Sequence, residues 1–419
     1  MSAATGTRGR RRPVLVRRAR PRIAIVGASF GGLAAAQHLG REFDVTVIDR
    51  SSWFEWLPNI HELLSGAKRP GDLRLPLTRL MKRAGHRLVR AEVTRIDAVA
   101  GRVETARGRR IPFDACIVAV GGVEETYGVR GVGRHALPFK SVDDCAAIGR
   151  RLATLARDSK PRRVVIVGGG LEGVEALGEI LRRYRRENSL RVHVIEGGPR
   201  LLPEAPAALD AAVRAHCAGL AVDLHTNTRA VAVTAKGVRL DNGELLRSDL
   251  TIWTGGVAAS PLLRVSDLAE RPRQWAPVSK ALQSRRHKNV FVVGNAAGLP
   301  RPLAKQAFYA LQMGEHAATN IQRYLGGRRL RDFRPARKPM LVAFGDLDTF
   351  LVTGRHVIAS PSLAAAKEAV MQLGMAGLDP PLGGASIAAL TRRVGGAVDR
   401  FVLASITPSS RRAGGSARR

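Results

Sequence analysis

The segment IAIVGASFGGLAAAQHL, Ile23 to Leu39, followed by VTVID ending at Asp49, restricts this chain more than any other stretch. An apolar, β-branched run enters a glycine-rich turn, the turn opens an alanine-rich segment of helical character, and a second apolar run ends in an acid. That order is a βαβ unit for a dinucleotide. Gly27 permits the tight turn and Gly32 lets helix and strand approach closely, with Ser29 and Gly31 lining the helix start. N–H groups exposed there hold a pyrophosphate, and Asp49 takes a ribose hydroxyl. Ser29 stands where the usual spacing has its middle glycine, and one such loop is also compatible with a structural glycine turn.

The unit recurs. VVIVGGGLEGVEALGEIL carries Gly168, Gly170 and Gly173 in full G-x-G-x-x-G spacing, and VHVIE closes at Glu196. Two units in one chain point to a duplicated fold with one nucleotide site per copy. An acid at the strand end repels a 2′-phosphate, so the second site is expected to favour NADH over NADPH. Each unit is followed by a buried-type strand running into glycines: FDACIVAVGG through Gly121, and DLTIWTGGVAASP through Gly255 and Gly256. Such ends suit a backbone passing close to a ligand. NVFVVGNAAG adds a third, ending at Gly294 and Asn295.

The predicted class is α/β, with two Rossmann-like dinucleotide-binding domains and a C-terminal α+β or helical region. The expected boundaries are a basic tail over 1–21, a discontinuous first domain over 22–122 and 257–335, a second over 141–256, and a last region over 336–419. Between the motifs, Trp53, Phe54 and Trp56 form a ring cluster beside Pro58 and His61, suited either to the core or to lining a ligand channel. Asp72 to Arg83 predicts a helix and Arg87 to Val103 paired strands. Ser141 caps a helix, Asp241 to Gly243 turns a hairpin, and Ala307, Ala310, Leu311, Gly314 and Ala317 form the close-packing face of a long helix. Beyond Pro380-Pro381, Ile387, Leu390, Val394, Val398 and Phe401 recur at helical spacing, with Arg392, Arg393 and Arg400 off the stripe. That pattern fits a helix lying on a membrane, packed on the core, or facing a second subunit in a homodimer.

Charge and cysteine content narrow the setting. Lys+Arg 68 against Asp+Glu 35 gives a net charge of +33 over 419 residues, which favours anionic surfaces, membrane or nucleic acid. Cys116, Cys145 and Cys217 are far apart, so neither a disulfide framework nor a redox-active cystine is expected, and no metal-ligand set is read. No apolar run is long enough to span a bilayer and no secretory leader is read, which places the chain in the cytoplasm, peripheral on the inner face of the cell membrane.

Over Arg22 to Gly327 these motifs resemble the two-dinucleotide-binding-domain flavoproteins, in particular the type II NADH dehydrogenases and their apoptosis-inducing-factor-like relatives. The resemblance implies FAD in the first unit, on Gly27, Gly32, Asp49 and Arg50, with Pro58, Ala119 and Gly121 close by. It implies NADH in the second, on Gly168, Gly170, Gly173 and Glu196, and the flavin ribityl chain at Gly294 and Asn295. A hydride would pass from NADH to FAD and electrons onward to a quinone. Glu175 is the candidate for assisting proton movement, or else an ordinary helix-surface carboxylate. Lys305 is the candidate for positive charge near the flavin N1–C2=O edge, or else a solvated lysine. Phe308 replaces a family glutamine in Ala307 to Gln312, which leaves the electron acceptor open. A small acidic redox protein such as ferredoxin is a second acceptor, and a nucleic-acid-binding flavoprotein is a reading of another class that only the charge supports.

Asn295 stands where the family has Asp, so one negative charge beside the flavin is lost. Redox titration is expected to show a higher flavin potential than in an Asn295→Asp variant; equal potentials would refute the placement.

Overall fold

A computed structural model of the protein describes residues 19–187, 189–336 and 338–380. Two five-stranded sheets organise it, each built around the first strand of a βαβ unit. The first runs Val290–Val292, Ala115–Val118, Arg22–Val26, Asp44–Asp49, Arg87–Arg90, all parallel. The second runs Leu137–Pro138, Leu250–Trp253, Arg162–Val167, Leu190–Ile195, Val222–His225, likewise parallel. Continuous apolar strands such as Ile23 to Val26 and Val164 to Val167 are buried on both faces, as parallel sheets require. In both sheets the central strand lies between its unit's second strand and a strand that ends in glycines. Ligands of open α/β sheets bind where the strand order reverses in this way.

The duplication extends to the crossovers. Each sheet is supplemented by a three-stranded antiparallel sheet, Val93–Asp97 with Arg102–Thr105 and Arg110–Pro112 in one case, Ala230–Thr234 with Gly237–Leu240 and Leu245–Arg247 in the other. Gly122–Glu124 pairs antiparallel with Val257–Ala259, so the two linkers between the sheets form one ribbon. The helix Val142–Leu155 is capped by Ser141, whose hydroxyl accepts the Asp144 N–H at 3.1 Å.

Small residues let the layers meet. The first-unit helix, Phe30–His38, lies against the long helix Ala307–Leu325. A Cβ on Gly314 would collide with the Gly31 carbonyl oxygen, and one on Gly31 would stand 3.2 Å from the Ala310 carbonyl oxygen. Late in the chain the antiparallel strands Met340–Phe344, Asp348–Thr353 and His356–Ala359 precede the helix Leu363–Leu378. Gly178 on the second-unit helix Leu171–Tyr184 lies against the backbone of Phe344 and Gly345, and Gly374 lies against the Trp56 ring.

Two expectations change. Of Asp72 to Arg83 only Leu77–Ala84 is α-helical; Pro70–Leu73 is a 3₁₀ turn and Arg74–Pro76 pairs with Trp53–Glu55. Pro76 lacks an N–H and keeps Leu75 out of the helical region, so the helix cannot begin earlier. Arg87–Arg90 joins the parallel sheet, leaving Val93–Asp97 to pair with Arg102–Thr105. Phe54 and Trp56 are core, edge-on to Phe30 with ring centroids 5.0 and 5.4 Å away, whereas Trp53 is exposed. The basic stretch 1–18 and the stripe after Pro380 lie outside the described residues. Among the described residues no helix is long and apolar enough to cross a membrane.

Gly314→Ala is expected to lower stability by about 1–3 kcal/mol through overpacking. Gly133→Ala, where a Cβ meets open space, is expected to stay within about 0.5 kcal/mol. Denaturant unfolding of the two variants checks the difference.

Candidate functional site

The two glycine loops are built alike. Gly27 and Gly168 have φ of +97° and +116°, which a side chain rarely adopts. A Cβ on Gly32 would collide with the Gly27 carbonyl oxygen, and one on Gly173 with that of Gly168. Gly27 faces the backbone of Ala119, and Gly168 faces Thr254, whose hydroxyl lies 3.0 Å from both the Val167 and Gly168 carbonyl oxygens and shares its one proton between them. Neither helix has a side-chain cap at its start, at Ser29 or at Gly170, so the first N–H groups of each are left for an anion. A Cβ at Gly170 meets open space, which explains why the equivalent Ser29 fits without distortion.

Asp49 and Glu196 do more than the sequence suggests. Asp49 accepts the N–H of Ala28 at 2.7 Å and of Ser51 at 2.7 Å. Glu196 accepts the N–H of Gly169 at 2.8 Å and of Gly198 at 2.7 Å. Each acid thus holds the residue after its loop's first glycine, and each carboxylate oxygen keeps a lone pair for a ribose hydroxyl. The two loops, their uncapped helix starts and these acids form two cradles that fit two dinucleotides.

The remaining predicted residues lie as follows. Gly121 and Gly256 adopt φ of +63° and +100° at the ends of their strands, with Gly255 against the Trp253 indole. Gly294, φ +64°, lies beside Ala310 of the long helix. Lys305 is not simply solvated: its ammonium donates to the Asn295 carbonyl oxygen at 2.8 Å and lies 4.0 Å from the centroid of the Trp275 ring. Burial of that end pushes its pKa down to about 8. Phe308 lies under the Lys338 ammonium, 4.3 Å from the ring centroid, and Gln312 accepts the Ala336 N–H at 3.0 Å. Arg50 and Pro58 are exposed.

Glu175 is not a helix-surface carboxylate. It is buried, ion-paired with Lys367 at 2.5 Å, and accepts the Ala343 N–H at 3.2 Å. His61 completes the cluster, its Nδ1 3.4 Å from Glu175 Oε2 and its Nε2 3.3 Å from Lys367 Nζ. Burial, then the Lys367 charge, hold the His61 pKa well below the ordinary value, so the ring is neutral at pH 7. Burial raises the Glu175 pKa and the Lys367 ammonium opposes it. Sequence reasoning missed Lys367; the signal was a lysine four residues before Met371, on the same face of a mostly apolar, alanine-rich helix. The three cysteines are buried free thiols, and burial pushes the pKa of each upward, so none is a nucleophile.

Two dinucleotide cradles on a duplicated parallel fold define a pyridine-nucleotide-dependent oxidoreductase of the two-domain kind. Residues 21–314 match the pyridine nucleotide-disulphide oxidoreductase family, and the chain belongs to it. Among its relatives is a type II NADH:quinone oxidoreductase of Staphylococcus epidermidis, 28% identical over 394 residues, with 86% of this chain and 97% of that protein covered. The Staphylococcus aureus protein of the same name is also 28% identical over the same shares. The structure of NDH2 from Plasmodium falciparum in complex with NADH shares the fold, with a TM-score of 0.77 at 15% identity over 85% of this chain and 95% of that one. The sulfide:quinone oxidoreductase of Aquifex aeolicus does so with a TM-score of 0.74 at 18% identity, over 85% and 91%.

Glu179, one turn beyond Glu175, is held by Ser65 and Arg182, and burial pushes its pKa up to about 6 from 4.5. The folded chain therefore holds this proton more tightly than the unfolded one, and the group costs stability as pH rises from about 4.5 through about 6. Glu179→Gln is expected to gain about 2 kcal/mol relative to wild type across that window, as order of magnitude. Unfolding curves at pH 4.5 and 7 test it.

Proposed function

We propose that the protein is an FAD-dependent NADH:quinone oxidoreductase, with the net reaction NADH + quinone + H⁺ giving NAD⁺ and quinol. The observation that carries the reading is the pair of equivalent nucleotide cradles in a chain with no redox disulfide, and the names of its relatives support it. The first cradle, in the domain formed by 22–122 and 257–335, holds FAD: the Phe30 helix start faces the pyrophosphate, Asp49 takes a ribose hydroxyl, and Gly294 and Asn295 hold the ribityl chain. When bound, FAD supplies hydride acceptance and two-electron transfer. The second cradle, within 141–256, holds NADH with Glu196 on its ribose, and the acid disfavours a 2′-phosphate.

Lys305 fixes the Gly294 turn through the Asn295 carbonyl and brings positive charge to it. Glu175 carries protons toward the acceptor. The Glu175 carboxylate is balanced by the Lys367 ammonium, and the neutral His61 imidazole 3.4 Å away is an adjacent group to which a proton can pass. Quinones are membrane-dissolved, and the +33 charge together with the apolar stripe after Pro380 supports a peripheral position on an anionic membrane, residues 336–419 forming that region.

Stopped-flow mixing tests the proposal. The purified protein is expected to carry FAD, to be reduced faster by NADH than by NADPH, and to be reoxidised by a quinone. Glu175→Gln is expected to keep reduction by NADH while slowing quinone turnover on the order of 10²-fold. A protein that binds no FAD, or one that quinone does not reoxidise, would overturn the assignment.

A further inference from the structure

Thr126 to Val129 form a tight turn just after the first linker strand, closed by the Val129 N–H to the Thr126 carbonyl oxygen at 2.9 Å. Its central residues, Tyr127 and Gly128, have φ of +50° and +74°. Two left-handed central residues mark a type I′ turn, which Asn, Asp and Gly occupy at little cost. Tyrosine does not, because its Cβ crowds the backbone there.

The surroundings hold this strained residue in place. The Tyr127 N–H donates to a Glu125 carboxylate oxygen at 2.5 Å, and Arg273 pairs with the same carboxylate. The Glu125 carbonyl oxygen accepts the buried Trp253 indole N–H at 2.8 Å, and the Glu125 N–H donates to the Gly256 carbonyl oxygen at 3.2 Å. Yet the side chain so fixed contributes little to the core, being 69% exposed. An asparagine or glycine would make the same turn with less strain, so folding alone does not explain a ring here.

Its location does. The Tyr127 hydroxyl stands 3.3 Å from where a Cβ on Gly256 would lie. The phenol pKa is raised by burial of the hydroxyl, then by Glu125 and Glu196, so the Glu196 carboxylate is within electrostatic reach. Gly256 follows the strand Leu250–Trp253 and Glu196 follows Leu190–Ile195; between those two strands lies Arg162–Val167, which enters the Gly168 loop. Tyr127 therefore stands at the mouth of the second cradle, against the strand end at Gly256 and within electrostatic reach of the acid across the central strand.

Building on the NADH reading above, we propose that Tyr127 is a recognition residue of the second cradle, its exposed ring packing against the adenosine half of the dinucleotide that Glu196 anchors. An aromatic face suits a heteroaromatic base and loses little freedom on binding, because the turn already fixes its backbone.

The FAD-loaded protein, Tyr127→Phe and Tyr127→Asn decide the matter by calorimetric titration with ADP-ribose, by KM for NADH and by the thermal midpoint without nucleotide. Tyr127→Asn is expected to weaken ADP-ribose about tenfold and raise KM with it, the range known for base–aromatic stacking. Its thermal midpoint is expected at or above wild type, since asparagine tolerates the left-handed turn. Tyr127→Phe is expected to bind within about twofold of wild type because it keeps the ring. Undiminished ADP-ribose binding by Tyr127→Asn would overturn the proposal. So would a lowered midpoint accompanying the loss, which marks a structural role, or a loss seen with nicotinamide mononucleotide but not with ADP-ribose. Wild-type protein that binds neither NADH nor ADP-ribose would instead sink the NADH reading itself.

Discussion

Backbone meeting backbone without a side chain between them is the contact on which this structure depends. Gly32 against the Gly27 carbonyl, Gly173 against that of Gly168, and Gly314 against that of Gly31 bring helix to strand and helix to helix at distances no Cβ permits. The first two pairs aim a helix start at each cradle, and the third presses the long helix onto the first cradle's back. The same approach that makes the core dense leaves the loop N–H groups facing outward, because the helices begin without side-chain caps. Packing and ligand recognition are thus one geometric requirement met at the same residues.

A second constraint ties the late part of the chain to the nucleotide domains. His61, Glu175 and Lys367 come from a short turn after the first unit, from the second-unit helix and from the helix Leu363–Leu378, and they meet in a buried cluster. A carboxylate and an ammonium both withdrawn from water stabilise the fold only while paired; removing either leaves a charge that the core cannot solvate. The cluster therefore fixes the register of the late helix on the second unit as firmly as the Gly374–Trp56 contact fixes it on the first.

Much of this was legible in the sequence for a physical reason: glycines at fixed offsets between apolar runs report steric demands that are local. The repeat of Gly27, Gly32 and Asp49 as Gly168, Gly173 and Glu196 and the Ser141 cap follow from partners within one βαβ unit or one helix turn, and the small-residue face around Gly314 shows in its spacing although its partner Gly31 lies far away in the chain. What was not legible depends on partners far along the chain. Glu175 read equally well as a surface carboxylate because Lys367 lies 192 residues away, and its burial is set by tertiary packing. Tyr127 carried no signal, since a positive φ at a tyrosine is imposed by Glu125, Trp253 and Arg273 rather than by its own preference. The helix expected from Asp72 failed at Pro76, where a covalent restriction outweighed apolar spacing.

The strand Val290–Val292 at the edge of the first sheet has a consequence for how the chain comes together. Every strand of the second sheet lies between Leu137 and Trp253, whereas the first sheet needs this strand from beyond the whole of the second. During synthesis the second cradle has all its strands available before the first does, although the first cradle's motif leaves the ribosome earlier. The first half thus waits, partly formed, on completion of the second, and long-range closure of this kind is the slow step in folding parallel sheets.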